Sequence, residues 1–133
     1  TYAMVSIAQI GSEDAYPTAE ALLGSPVLPM RMAAMSLVAK YPLRGIETAK
    51  RLMLDPDERI ARIGVQLLGS IGSDEALKEA GSRLMDPSAG IRIQAITALN
   101  GRCPAEFRTA FMNLREDPIP LVRAVARRAD PGR

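Results

Sequence analysis

The 133-residue sequence contains no histidine, no tryptophan and one cysteine, Cys103. Without histidine, the Ser-His-Asp and Cys-His arrangements that activate nucleophiles cannot be assembled, and most zinc sites lose a usual ligand. One cysteine permits no internal disulfide. It reads as a small buried or loop thiol, because a reactive thiol needs a cationic, exposed setting. Aromatic residues make up 4% of the chain, so a core has to be built from Leu, Ile, Val, Met and Ala, which suit closely packed helices. Long apolar runs are missing too. The longest, MAAMSLVA from Met32, falls far short of the roughly 20 residues a helix needs to cross a bilayer. The phosphate-cradling patterns G-x-x-x-x-G-K-[ST] and G-x-G-x-x-G do not occur. Neither sign of charge dominates, with 17 Lys plus Arg against 15 Asp plus Glu. That balance lacks the basic stripe on which nucleic-acid binding usually relies. At 47% hydrophobic and 24% charged, the chain has the make-up of one folded globular domain.

What the sequence does have is a restart. LDPDERIARIGVQLLGSIG begins at Leu54, MDPSAGIRIQAITALNG at Met85 and EDPIPLVRAVARRAD at Glu116. The aspartates Asp55, Asp86 and Asp117 stand 31 residues apart, and Ser25 opens a similar stretch, SPVLPMRMAAMSLVAKYP, 30 residues before Asp55. Five positions after each start come Met30, Ile60, Ile91 and Val122; nine after come Ala34, Gly64, Ala95 and Ala126; thirteen after come Val38, Leu68 and Leu99. Steps of four place these residues on one helical face. That face is predicted to be buried, with the small middle residue admitting a neighbouring helix. Asp55 is the predicted N-cap, Pro56 the first helical residue and Glu58 the third, and Asp86-Pro87 and Asp117-Pro118 repeat the first two.

A shorter helix is predicted between each pair of starts. Ser12 would cap EDAYPTAEALL, with Pro17 delaying the helix; Ser73 would cap DEALKEAGSRLM; GIETAKRLML and PAEFRTAFMNL fill the same slot. The links GSIGS and NGRC suit tight helix-helix turns. Residues 1–10, TYAMVSIAQI, align with the second half of a longer helix, since Ile10-Gly11-Ser12 matches Ile71-Gly72-Ser73. The predicted fold is therefore all-α: an α-solenoid of stacked antiparallel helix pairs, about four and a half repeats and nine helices. It forms one domain over residues 1–133, with a partial unit at about 1–11 and units at 12–41, 42–72, 73–102 and 103–133. Tyr2, Met4, Val5, Ile7 and Ile10 have no cap before them. We therefore expect either a longer array around this chain or self-association through its first helix.

These columns resemble HEAT-like repeats, in particular the short bacterial, bilin-lyase-like kind. The carrying pattern is Asp-Pro, an apolar residue and Arg, then Ala, then Leu and Gly, matched best by DPSAGIRIQAITALNG and DPIPLVRAVARRA. The resemblance covers about residues 1–129, with three copies in register and a degenerate fourth. Ser25 departs from it by replacing Asp. Ala61 occupies the Arg column, with Arg62 one place late, and Asn100 stands where another unit has Gly69. Asp130-Pro131 replaces the closing Leu-Gly, which reads as a frayed or terminating end. The resemblance implies a curved solenoid whose second helices line the concave side, used as a protein-binding scaffold. It also implies that the turn aspartates Asp55, Asp86 and Asp117 and the helix arginines Arg31, Arg62, Arg92 and Arg123 tie neighbouring units together. Iron-binding HEAT-repeat hydroxylases use His-Glu pairs, which this chain cannot supply; a bilin-lyase-like enzyme subunit stays an alternative on resemblance alone.

The acidic residues Asp55, Asp57, Glu58, Asp74 and Glu75 fall at predicted helix starts, where carboxylates complement the helix dipole; capping accounts for them without a metal. GSIG, from Gly69 to Gly72, is accounted for as a helix turn rather than a nucleic-acid clamp. Met30, Met32 and Met35 read as core filler. Eleven positions after each start stand Ser36, Gln66, Thr97 and Arg128, with Gln94 one turn before Thr97. This column is mildly polar and lacks aromatic anchors, and it is the candidate partner-binding surface. Glu47, Lys50, Lys78 and Glu79 fall on the first helices, the convex side. The expected function is a non-catalytic scaffold or adaptor that binds another protein or a peptide segment without cofactor or metal. The alternative is nucleic-acid backbone binding through Arg102, Arg115, Arg123, Arg127, Arg128 and Arg133, a bias diluted by Glu106, Glu116, Asp117 and Asp130. The cytoplasm is the expected compartment, with an exported one left open.

Overall fold

The computed structural model describes residues 12–132. These are all-helical, with no strand among the described residues: α1 Ser12–Leu22, α2 Leu28–Val38, α3 Pro42–Met53, α4 Glu58–Ile71, α5 Asp74–Gly81, α6 Ala89–Leu99, α7 Arg108–Asn113 and α8 Pro120–Arg128. Two 3-10 turns, Ala105–Phe107 and Leu114–Glu116, flank α7. The helix expected over residues 1–10 and the cap expected of the Ser12 side chain lie outside the described residues. Pro17 sits inside α1 instead of delaying it.

The helices start two residues later than the sequence predicts, and for one reason in all four units. The Asp55 carboxylate accepts the backbone N–H of Asp57 at 2.8 Å; Asp86 accepts that of Ser88 at 2.9 Å; Asp117 accepts that of Ile119 at 2.9 Å; the Ser25 hydroxyl accepts that of Val27 at 3.1 Å. Each is a side-chain-closed turn with proline at its centre. The caps proper are the residues after the prolines. Asp57 accepts the Arg59 N–H and Ser88 the Ile91 N–H, whereas Val27 and Ile119 offer no side-chain acceptor. Ser73 caps α5 by accepting the Ala76 N–H at 3.3 Å. At the far end of α4, Gly72 adopts φ +67°, a left-handed cap that a side chain would strain.

α1 packs on α2, α3 on α4 and α5 on α6, while α4 lies against α6 and α6 against α8. The core follows the predicted columns closely. Ala34, Val38, Leu68, Ala95, Leu99, Val122 and Ala126 have no exposed surface. At Gly64 α3 and α4 approach closely, since a Cβ there would lie 2.7 Å from the Ala49 carbonyl oxygen. Ile60, like Met30, departs from the prediction and is half-buried. The turn facing it is Gly24-Ser25-Pro26, which carries no large side chain to cover it. Met35 is buried, but Met32 is 56% exposed, so the methionines are not all core filler.

The last unit is irregular. The slot of PAEFRTAFMNL holds a broken helix, because Phe107, at φ −105° and ψ 1°, leaves α geometry where its ring lies against Gly81. The end, which the sequence marks as frayed or terminating, is tied down. The Cys103 N–H donates to the Pro131 carbonyl at 3.0 Å, the Asp130 N–H donates to the Asn100 side chain at 2.9 Å, and the Gly101 N–H donates to the Asp130 carbonyl. No helix among the described residues is long and apolar enough to cross a membrane.

Candidate functional site

Two sets of residues singled out by the sequence meet different fates. The first is the exposed column. Ser36, Gln66, Thr97 and Arg128 are all exposed, and Gln94 is half-buried. Gln66 and Ser70 on α4, Gln94 and Thr97 on α6, and Leu28 and Met32 on α2 line one shallow groove of about 380 Å³. Ser36 and Arg128 stay outside it. The Thr97 hydroxyl donates to the Ile93 carbonyl of its own helix at 2.9 Å. Its acceptor lone pairs, the Ser70 hydroxyl and both glutamine amides are therefore among the polar groups the groove offers a ligand. One end of the groove is set by Arg102, which donates from Nε to the Ala98 carbonyl at 3.0 Å and from Nη2 to the Gly69 carbonyl at 2.6 Å, clamping the C-terminal end of α4 onto that of α6. Leu28 and Met32, each 56% exposed, add the apolar side that the column did not foretell. The signal was available, since Leu28 and Met32 stand one helical turn apart on α2.

The second set is the turn aspartates and helix arginines. Arg92 donates from Nη1 to the Asp86 carbonyl at 2.8 Å and the Pro87 carbonyl at 3.1 Å, then crosses to the next turn, where Nη2 donates to Asp117 at 3.2 Å and Nε lies 3.0 Å from the other carboxylate oxygen. Asp117 is 6% exposed. A carboxylate and guanidinium this far out of water depend on further hydrogen bonds; the Ile119 N–H and the two carbonyls supply them, although Arg92 Nε makes none of its own. Arg123 donates to the Asp117 carbonyl at 2.8 Å and Arg31 to the Ser25 carbonyl at 2.7 Å, both within their own units. Arg62 is not brought to this place. It lines an opening beside Ser25 and Ile60, while Asp86 takes its cation from Arg83 at 3.7 Å and Asp55 stays exposed.

A third cluster was invisible in the columns. The Tyr16 ring, 1% exposed, lies under the Arg44 guanidinium at 3.9 Å and edge-on to Tyr41 at 5.7 Å. The Tyr16 hydroxyl pairs with that of Thr48 at 2.7 Å; Thr48 in turn lies 2.6 Å from the Glu20 carboxylate, which also holds Arg51. All of it joins α1 to α3. On the faces of α3 and α5, Lys50 pairs with Glu79 at 3.6 Å, and Lys78 with Glu106 at 3.8 Å. These are exposed pairs of small individual worth.

The titratable groups point to no reactive centre. Burial pushes the Cys103 thiol up against the lowering influence of the Arg108 charge, which disfavours the nucleophilic thiolate. The Asp57 carboxyl is held below its usual range by the Arg59 side chain and, next, by the Arg59 backbone N–H. That is helix-cap chemistry. Among the described residues, no three His, Cys, Asp or Glu side chains converge as metal ligands would. A scan against protein-family models matches none, and a search of curated proteins finds no match.

Proposed function

We propose that the chain is a segment of an α-solenoid of HEAT-like repeats that binds a protein segment in the groove between α2, α4 and α6, without catalysis. The observation that supports this most is that Gln66, Gln94 and Thr97, picked out by their register, line one groove together with Leu28 and Met32. Amides and a hydroxyl beside two exposed apolar side chains suit an amphipathic helix or an extended peptide. Affinity per unit is modest without aromatic anchors and grows with repetition along an array.

The phosphate-backbone alternative has less support. Arg102, Arg108, Arg115 and Arg123 donate to backbone carbonyls within the chain, and Arg127 donates to the Arg115 carbonyl. These contacts turn the guanidiniums toward the chain itself, and Arg127 also pairs with Glu116.

The test compares two triple variants of the folded domain in pull-down from lysate, with captured proteins identified and then re-tested singly. Gln66→Ala, Gln94→Ala and Thr97→Ala together should abolish capture, whereas Glu47→Ala, Lys50→Ala and Lys78→Ala should leave it intact. The opposite pattern, with both variants helical by circular dichroism, assigns binding to α3 and α5 and removes the groove reading. Salt-sensitive retention of mixed duplex DNA would move the function to nucleic acid.

A further inference from the structure

The arginine column has a gap, and the gap is a cavity. In the third unit Arg92 stands four residues after the cap Ser88, and its side chain threads between the turns of Asp86 and Asp117. Four residues after the cap Asp57 stands Ala61, which has no side chain to thread. Between the corresponding turns, those of Asp55 and Asp86, lies a cavity of about 200 Å³. Met53, Val65 and Ile91 help to wall it, and Asp55, Glu58 and Asp86 border it. Arg83 reaches Asp86 at 3.7 Å and balances one of the three carboxylates, leaving negative charge in excess.

We infer that this cavity receives the guanidinium of an arginine side chain presented by a partner protein, in the place that Arg92 occupies one unit further on. The chain itself shows what fits such a space. The Arg92 side chain is 12% exposed, and its planar fork serves two carbonyls on one turn and a carboxylate on the next. The same parts recur around Ala61: the turn at Asp55, the carboxylate of Asp86, and apolar walls for the methylenes. A lysine ammonium is a compact, strongly hydrated point charge and cannot serve acceptors on two turns at once, whereas a guanidinium can. A small divalent cation fits no better, because the three carboxylates do not converge as metal ligands would. The cavity shares no lining residue with the α4–α6 groove, so this inference and the groove reading stand or fall separately.

The experiment is an amide NMR titration of the whole chain with N-acetylarginine amide, N-acetyllysine amide and agmatine. The arginine amide should give saturable shifts at Ala61, Val65 and Ile91, with the lysine amide weaker by about tenfold or more. Ala61→Arg supplies the guanidinium from within and should abolish the shifts. Ala61→Leu fills the space without charge and should do the same, and circular dichroism shows whether each variant is still helical. Three results would each overturn the inference: no saturable shift at these residues, equal response to lysine and arginine, or undiminished binding in a folded Ala61 variant. Binding of agmatine with exclusion of the arginine amide would overturn the assignment to a protein side chain and give the cavity to a free guanidinium compound.

Discussion

Two adjacent junctions of this chain share one register, and at the position that reaches across from the preceding unit one has Arg92 where the other has Ala61. At the turn of Asp117, Arg92 reaches across from the preceding unit and the carboxylate is 6% exposed. At the turn of Asp86 the corresponding position is Ala61, the Asp86 side chain is 19% exposed, and a cavity stands in the arginine's place. Yet the two turns have the same internal geometry, with carboxylate-to-amide distances of 2.9 Å at both. The turn is therefore a local object that forms without its arginine. The arginine acts between units and sets how deeply the carboxylate is buried.

The largest effect should come from breaking the intact junction. Arg92→Ala leaves Asp117 without its cation away from water and should cost about 3–5 kcal/mol in urea unfolding, whereas Arg62→Ala, outside the ladder, should stay within about 0.5 kcal/mol. Near-equal losses would show that the two junctions do not differ as described. Next in size is the core beneath the intact junction. Leu99 is fully buried, and Leu99→Ala should cost about 2–5 kcal/mol by the same measurement. A turn without any inter-unit arginine isolates the local term. Asp55→Ala removes the acceptor of the Asp57 N–H and should cost about 1 kcal/mol, the scale of a lost helix-start hydrogen bond. The smallest effect has the opposite sign. Ala61→Arg places a guanidinium within reach of Asp86 and should stabilise the chain by about 0.5–1 kcal/mol, read as a rise in midpoint without a change of slope. A destabilised Ala61→Arg would mean the cavity does not have the shape of the Arg92 site.

Much of this was legible in the sequence, because the repeat is written in residue types that allow few alternatives. The columns at Ala34, Ala95 and Ala126 and at Val38, Leu68 and Leu99 are buried as their spacing requires. The helix starts were displaced by two residues because Asp-Pro can be either a cap followed by a first turn or a side-chain-closed turn before the cap. The third residue does not decide between them, since helices begin after Val27 and Ile119, which cannot cap, as they do after Asp57 and Ser88; the side-chain bond across the proline does. Ile60 was misplaced because burial there depends on the facing turn, Gly24-Ser25-Pro26, and not on its own helix. The Tyr16–Thr48–Glu20 cluster has no counterpart in the other units, so no column could disclose it. For the groove, register gave Gln66, Gln94 and Thr97, while the exposed Met32 was lost to the general rule that methionine fills cores.

The four turns bear on how the chain begins to fold. In each, acceptor, proline and donor lie within three consecutive residues. They need no distant partner, and the proline has already fixed one dihedral. The points at which helices α2, α4, α6 and α8 begin are thus marked in the expanded chain, ahead of any collapse. Helix nucleation is the costly step of helix formation, and here it is lowered at intervals of about one unit. The packing that follows joins helices next to each other or one apart along the chain, so loop closures are short and their entropy cost grows only slowly with length. Contacts this local belong to fast folders. A stretch ending in Asp-Pro or Ser-Pro is, kinetically, a place where the chain can start again.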